Sequence, residues 1–324
     1  MFEVALSADG RSAVSGGGDG CVRLWDTTTG RCPRVLQGHL AAIWAVALTP
    51  DARLVASGGI DGTVRLWSGS SGETQAVLSG HTAGVLSVAL SADGKLVASG
   101  GLDGTLRLWD TRTNECVRIQ QCGLVGVRTV RLSADGRTVL TAEFDGTVRI
   151  WDASNGACRG ILTLKGGEAG RLAFSADGHL VACADPEGRV RLWDTHALEC
   201  VRVIQAQRRG VRAVGLSADG SLLAAGGVDG SVGLWNASDG RSRGLLRGHA
   251  GEVWAVAFSA DGHLAVSSGL DGTTRLWDTA GSGMEVRIMR PDRPYERMDI
   301  TGVSGVTDAQ RRALLALGAV DLAS

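Results

Sequence analysis

The chain has 324 residues, 44% hydrophobic and 21% charged, with a formal net charge of −1. Near-neutrality argues against a broad nucleic-acid footprint and gives no pull toward an anionic membrane, and no apolar run of about 18 residues is present to span a bilayer. The 48 glycines follow no G-X-Y period, so with only 5 prolines they suit many turns between short strands.

The N-terminal stretch MFEVALSADG has no basic start and no long apolar segment, so it does not read as a signal peptide. It runs into SGGGDGCVRLWD (15–26), where Asp19-Gly20 stands six residues before Trp25. The same pattern returns every 42 residues, with tryptophans at 25, 67, 109, 151, 193, 235 and 277. Asp follows five of them, whereas Ser68 follows Trp67 and Asn236 follows Trp235. Asp-Gly precedes six of the seven, and Glu187-Gly188 takes its place in the fifth. SADG recurs at 7–10, 91–94, 133–136, 175–178, 217–220 and 259–262, with TPDA at 49–52, and Gly-His occurs in phase at 38–39, 80–81 and 248–249. Within the second copy, IWAVAL (43–48), RLVASG (53–58), TVRLWS (63–68) and TQAVLS (74–79) are short apolar or β-branched runs separated by TPDA, GIDG and GSSG. Each copy is therefore expected to form four antiparallel strands, here a to d. The seventh copy ends in its own strand d, about 284–290. Each blade is then built from one continuous stretch, and blades one and seven are expected to meet by side-chain packing alone. The start inside strand a, at Phe2, is read as pointing to a missing upstream portion.

On these recurring residues the chain resembles the WD-repeat propeller family over about residues 2–290. The resemblance implies an all-β fold, a seven-bladed β-propeller of four-stranded antiparallel blades. One such sheet cannot bury both faces alone, and seven stacked radially can. The domain reading is a propeller over 1–290 and a tail over 291–324. Three copies align with the family's structural tetrad: His39, Ser57, Asp61 and Trp67; His81, Ser99, Asp103 and Trp109; His249, Ser267, Asp271 and Trp277. The resemblance implies a buried hydrogen-bond chain in each, and such networks rigidify when every member is satisfied. In the degenerate blades Gly123, Lys165 and Gln207 replace the His, while Cys183 and Ala225 replace the Ser; blades four to six are expected to be less rigid. A hydrolase triad needs one nucleophile in a cleft beside an oxyanion hole, and a set recurring in three blades fits that poorly. Glu143 and Asp185 are read as singletons without partners. SGGGDG precedes a strand rather than a helix, and no G-K-[ST] occurs, so no phosphate loop is read there. The six histidines form no close pair with a second ligand type. Seven cysteines without a C-x-x-C pair read as free thiols in a reducing compartment, with Cys32, Cys116, Cys158 and Cys200 spread apart in strand d. No enzyme activity, cofactor or metal is expected, and the location expected is cytoplasmic.

Antiparallel order puts the d–a and b–c loops on one face, the top. Two residue rings border it and vary strongly while their neighbours repeat. One opens strand a: Phe2, Trp44, Leu86, Arg128, Gly170, Arg212 and Trp254. The other precedes the Asp of the b–c turn: Gly18, Ile60, Leu102, Phe144, Pro186, Val228 and Leu270. Phe2, Trp44 and Trp254 form an aromatic arc over blades seven, one and two, extended by Leu86, with Arg128 and Arg212 across the ring. Aromatic residues and Arg are the usual anchors of binding hot spots. Glu168 and Glu252 are placed to balance the arginines, and an acidic or phosphorylated peptide would suit them. The partner-binding residues expected are Phe2, Trp44, Leu86, Arg128, Arg212, Trp254, Ile60, Leu102, Phe144 and Leu270. In the tail, TDAQRRALLALG reads as a helix over about 308–317, with Thr307 and Gln310 as a capping box, Gly318 as a C-cap, and Leu314 and Leu317 on one face. The tail also resembles the ending of bacterial proteins that carry a WD-repeat propeller behind a nucleotide-switch domain. The reading is a non-catalytic, monomeric scaffold for a protein or peptide, without nucleic acid or membrane. The alternative is the ligand-sensing C-terminal part of a larger nucleotide-switch signalling protein.

Overall fold

The computed structural model describes residues 2–123, 126–163, 172–185, 187–207, 210–281, 285–290, 301 and 307–316. Lys165, Glu168, Gly170, Pro186, Met284, Leu317 and Gly318 lie outside the described residues. Residues 1–289 form one compact unit and 290–324 another.

The first unit is a seven-bladed propeller, each blade a four-stranded antiparallel sheet whose strands pair in chain order. In blade two these are Ile43–Leu48, Leu54–Gly59, Val64–Ser68 and Thr74–Leu78. The SADG turn explains why strands a and b close so tightly. Ser7 Oγ–H donates to Asp9 Oδ1 at 2.6 Å, the Ser12 amide donates back to Ser7 Oγ at 2.9 Å, and Gly10 takes a φ of 70°. Between blades, alternate residues interdigitate. Val64, Leu66 and Leu78 of blade two pack on Val85, Val97 and Trp109 of blade three. Strand b carries glycine where the next blade approaches: a Cβ on Gly58 would stand 2.6 Å from Val85 Cγ1.

Ring closure uses more than side-chain packing. Val4, Ala13 and Trp25 of blade one do pack on Ala255, Val266, Leu276 and Met289 of blade seven. The Ala260 amide also donates to the Ala8 carbonyl at 3.1 Å. This bond belongs to a series linking successive a–b turns: Ala8 to Pro50, Ala92 to Ala134, Ala134 to Ala176 and Ala176 to Ala218, at 2.9–3.0 Å. The sequence conceals it because the donors are main-chain groups. Proline at position 50 has no N–H and can only accept. In the central channel one level is lined by Ala5, Ala47, Ala89, Ala173, Gly215 and Ala257, and only Arg131 is large there. It spans the channel to Glu3, Nη2 to Oε1 at 3.3 Å, joining blades one and four.

Strand d of blade seven is Glu285–Met289. In the second unit the helix Asp308–Ala316 begins at a reciprocal cap. The Thr307 amide donates to Gln310 Oε1 at 2.8 Å, and the Gln310 amide donates to Thr307 Oγ1 at 3.2 Å.

Candidate functional top face

Three blades hold the same proton-ordered chain. In blade two Trp67 Nε1–H lies 2.8 Å from Ser57 Oγ, Ser57 Oγ 2.8 Å from His39 Nε2, and His39 Nδ1 2.9 Å from Asp61 Oδ2. One assignment satisfies every donor: Trp donates to Ser, Ser to His, and His to the carboxylate. Asp61 also accepts the Leu40 amide at 3.0 Å, tying the d–a loop to the b–c turn. Blade three repeats this through His81, Ser99, Asp103 and Trp109, and blade seven through His249, Ser267, Asp271 and Trp277. The order Asp–His–Ser is that of a hydrolase triad, yet the Ser57, Ser99 and Ser267 side chains are fully buried, and each hydroxyl already accepts from an indole. No substrate carbonyl can reach them.

Burial holds the His39, His81 and His249 imidazoles below their ordinary pKa, against the opposing pull of Asp61, Asp103 and Asp271. Burial alone would raise the three carboxyls, but amide, hydroxyl and imidazole donors outweigh it; Asp271 falls to about 2. A depressed histidine pKa means that the unfolded chain takes up protons first. Stability from these histidines is present above about pH 6.5 and is lost as the pH falls below it; the carboxylates add a further loss below about pH 4. The midpoint of urea unfolding is expected to be lower at pH 5.5 than at pH 7.5. Equal midpoints would contradict a neutral buried imidazole.

Blades four to six fill the same space differently. Where His is present the facing residue must be glycine: a Cβ on Gly59, Gly101 or Gly269 would stand 2.5, 2.7 or 2.6 Å from the Nδ1 of His39, His81 or His249. In blade four the His position is Gly123, the facing residue is Glu143, and a Cβ on Gly123 would stand 2.5 Å from Glu143 Oε2. The carboxylate occupies the imidazole's place. Glu143 is fully buried and ion-paired with Arg149. Burial pushes its carboxyl up, against that arginine. Asp185 holds the matching position in blade five and pairs with Arg189 at 2.7 Å and Arg191 at 3.4 Å. The expectation that Glu143 and Asp185 stand alone is thus overturned. Their partners are strand-c arginines: Arg149 and Arg191 recur through the repeat and carry no local signal, whereas Arg189 stands where the other blades have Cys, Thr or Ser.

Strand a of blade two opens at Ile43, not Trp44. Ile43 pairs with Gly59 and Ala45 with Gly58, so Trp44 is the extra residue of a β-bulge. Leu86, Arg128, Arg212 and Trp254 occupy the same bulge in their blades. A bulge re-aims a side chain and relieves it of packing within its own sheet, which is the physical reason that this slot varies. Trp44 is 44% exposed, while Trp254 and Phe2 are half-buried. The Phe2 ring centre lies 6.2 Å from Trp44 and 6.1 Å from Trp254, both tilted or edge-on. Phe2 also lies over Gly18, where a Cβ would stand 3.4 Å from its ring.

Leu86 does not extend this arc, being only 8% exposed and packed inward. Arg212 does not stand across the ring. It pairs with Glu252 at 3.4 Å, two residues before Trp254. Arg128 lies over Phe144 of its own blade, 5.7 Å from the ring centre. Ile60, Leu102 and Leu270 are exposed, Leu270 most at 61%. The sequence reading missed Leu40, 91% exposed beside Trp44's blade. Its signal was the slot after His, filled by Thr82 and Ala250 in the other complete copies.

Among the described residues no group of three or more His, Cys, Asp or Glu could hold a metal ion, and no helix is long and apolar enough to cross a membrane. His179 and His196 do stack, with ring centres 4.3 Å apart.

The family model for the WD domain, G-beta repeat, matches residues 2–26, 30–68, 72–110, 114–152, 160–194, 198–236 and 240–278. Two curated relatives are each named a probable E3 ubiquitin ligase complex SCF subunit sconB, from Aspergillus niger and Emericella nidulans. Each is 44% identical over 45 residues, which is 14% of this chain and 7% of the relative.

Proposed function

From a chain that belongs to the WD domain, G-beta repeat family, we propose a non-catalytic scaffold that binds a protein or peptide at its top face. The observation that carries this reading is the contact of Phe2, just before strand a of blade one, with Trp44 and Trp254 on the bulges of blades two and seven. Exposed Leu40, Ile60, Leu102 and Leu270 surround it with apolar surface on the same blades and on blade three. Aromatic side chains ringed by apolar neighbours are typical anchors of an interface. The Arg212–Glu252 pair gives the rim a polar edge. The name of the two fungal relatives, subunits of a protein complex, fits a scaffold role.

The test is a pull-down followed by direct affinity measurement on the captured segment, comparing wild type with Trp44→Ala and Trp254→Ala. Each substitution is expected to weaken binding about tenfold or more, with the thermal melt nearly unchanged for exposed Trp44. Equal affinity for all three proteins would move the interface away from the arc.

A further inference from the structure

Strand c carries an arginine two residues before its tryptophan in six of the seven blades, and Gly233 stands there in blade six. Four of these arginines are met by a carboxylate of the chain. Arg23 pairs with Asp19, Arg149 with Glu143, Arg191 with Asp185, and Arg275 with Glu285 and Asp271. Arg65 of blade two and Arg107 of blade three are the exceptions. Among the described residues neither forms an ion pair or a hydrogen bond, and the Nε–H of each is buried without an acceptor. The aspartates of their own turns are already engaged. Asp61 accepts from His39, the Leu40 amide and Thr63, and Asp103 from His81, the Thr82 amide and Thr105.

Blade seven shows what this arginine holds when a carboxylate reaches it. At the glycine that precedes its histidine, a Cβ on Gly248 would stand 2.6 Å from Arg275 Nη1, 3.0 Å from Trp277 Cη2 and 2.9 Å from Glu285 Oε2. The same corner is built in blades two and three. A Cβ on Gly38 would stand 2.7 Å from Arg65 Nη1 and 3.0 Å from Trp67 Cη2, and one on Gly80 2.8 Å from Arg107 Nη1 and 3.2 Å from Trp109 Cη2. Only the third member differs. Glu285 lies opposite Trp277 in the c–d ladder, whereas Thr74 and Cys116 lie opposite Trp67 and Trp109, with shorter side chains that carry no carboxylate. Glu285 keeps 28% of its side chain exposed beside Arg275, so the corner opens to the outside.

We propose that Arg65 and Arg107 are two equivalent seats for carboxylates of a partner protein, aspartate or glutamate side chains held as Arg275 holds Glu285. The chain is its own template for the chemistry. A guanidinium presents five N–H donors in a rigid fork that matches a carboxylate, and the resulting charge-assisted bonds are stronger than neutral ones. Both arginines are half-buried, where the lower local dielectric strengthens a bond that is made and raises the cost of one that is not. A partner's acid therefore supplies the acceptor that Asp19, Glu143, Asp185 and Glu285 supply in the other blades. The seats are formed by strands c and d and do not depend on the aromatic arc.

The test is a nuclear magnetic resonance titration of the full chain with N-acetyl-glutamate methylamide, using the glutamine analogue as the neutral isostere and reading the arginine Nε–H signals. The glutamate probe is expected to give saturable shifts at Arg65 and Arg107 and none at Arg275, and the glutamine probe to need about tenfold higher concentration. Thr74→Glu and Cys116→Glu place an acid where blade seven carries Glu285. The first is expected to abolish the shift at Arg65 alone, and the second the shift at Arg107 alone. Glu285→Ala is expected to make Arg275 respond as well. Absence of saturable shifts at Arg65 and Arg107, an equal response to the glutamine probe, or a Thr74→Glu chain that still responds at Arg65 would each overturn the proposal. Inorganic phosphate acting at about tenfold lower concentration than the glutamate probe would assign the seats to a phosphorylated partner and overturn the carboxylate assignment.

Discussion

Gly59→Glu is expected to destabilise the propeller by about 3 kcal/mol or more, and adding His39→Gly to the same chain is expected to recover most of that loss. A Cβ at position 59 would stand 2.5 Å from His39 Nδ1 and 2.7 Å from Asp61 Oδ1, in a space with no free volume. A glutamate there must displace a fully buried imidazole and would bring a second carboxylate beside Asp61. Blade four shows the arrangement that accepts the acid: glycine at 123, glutamate at 143, and Arg149 to pair with it. Arg65 occupies the position in blade two that Arg149 occupies in blade four. The double variant therefore has every part of the blade-four solution. The mirror experiment starts from blade four, where Gly123→His alone should destabilise and Glu143→Gly should relieve it. Chemical unfolding of the four single and two double variants measures the coupling directly. Additive losses in both blades would show that the two positions do not share one space.

This coupling marks where sequence reasoning reached and where it stopped. Blade number, strand order and the positions of His39, Ser57, Asp61 and Trp67 were legible because a 42-residue period repeats them in phase, and a period is a property of the sequence alone. Position 143 was visible as a departure from the glycines at 59, 101 and 269. Its meaning was hidden, because the residue it answers, Gly123, lies 20 positions earlier and faces it only across the d–a loop and strand b. Trp44 and Trp254 stood out by variation within the repeat, but the bulge that turns them outward is set by cross-strand pairing and leaves no mark in the sequence. Leu86 shows the cost of that gap: it occupies the same bulge in blade three, and its side chain is nonetheless buried. Main-chain bonds such as Ala260 to Ala8 were out of reach, since any residue but proline could donate there.

Ser57→Ala is expected to cost about 2–4 kcal/mol, more than the loss of one hydroxyl suggests. Ser57 Oγ is the hub of its chain, accepting from Trp67 Nε1 and donating to His39 Nε2, each at 2.8 Å and out of water. Removing it leaves an indole N–H and an imidazole nitrogen buried without partners, and each carries a desolvation penalty of roughly 1–3 kcal/mol. Blade five already displays half of that condition. Cys183 stands in the serine's place, buried and with its thiol pushed up by burial, and among the described residues Trp193 Nε1 has no hydrogen-bond partner. Cys183→Ser should therefore move the other way and stabilise the propeller by about 1 kcal/mol, because it returns an acceptor to an indole that lacks one. The two substitutions change nearly the same atoms in opposite senses. A strongly negative effect of Ser57→Ala with a positive effect of Cys183→Ser, both read from urea midpoints, is the outcome expected of a satisfied chain in blade two and an interrupted one in blade five. If Cys183→Ser is neutral or destabilising, the Trp193 indole does not need that acceptor, and the cost at Ser57 would have to come from His39 alone.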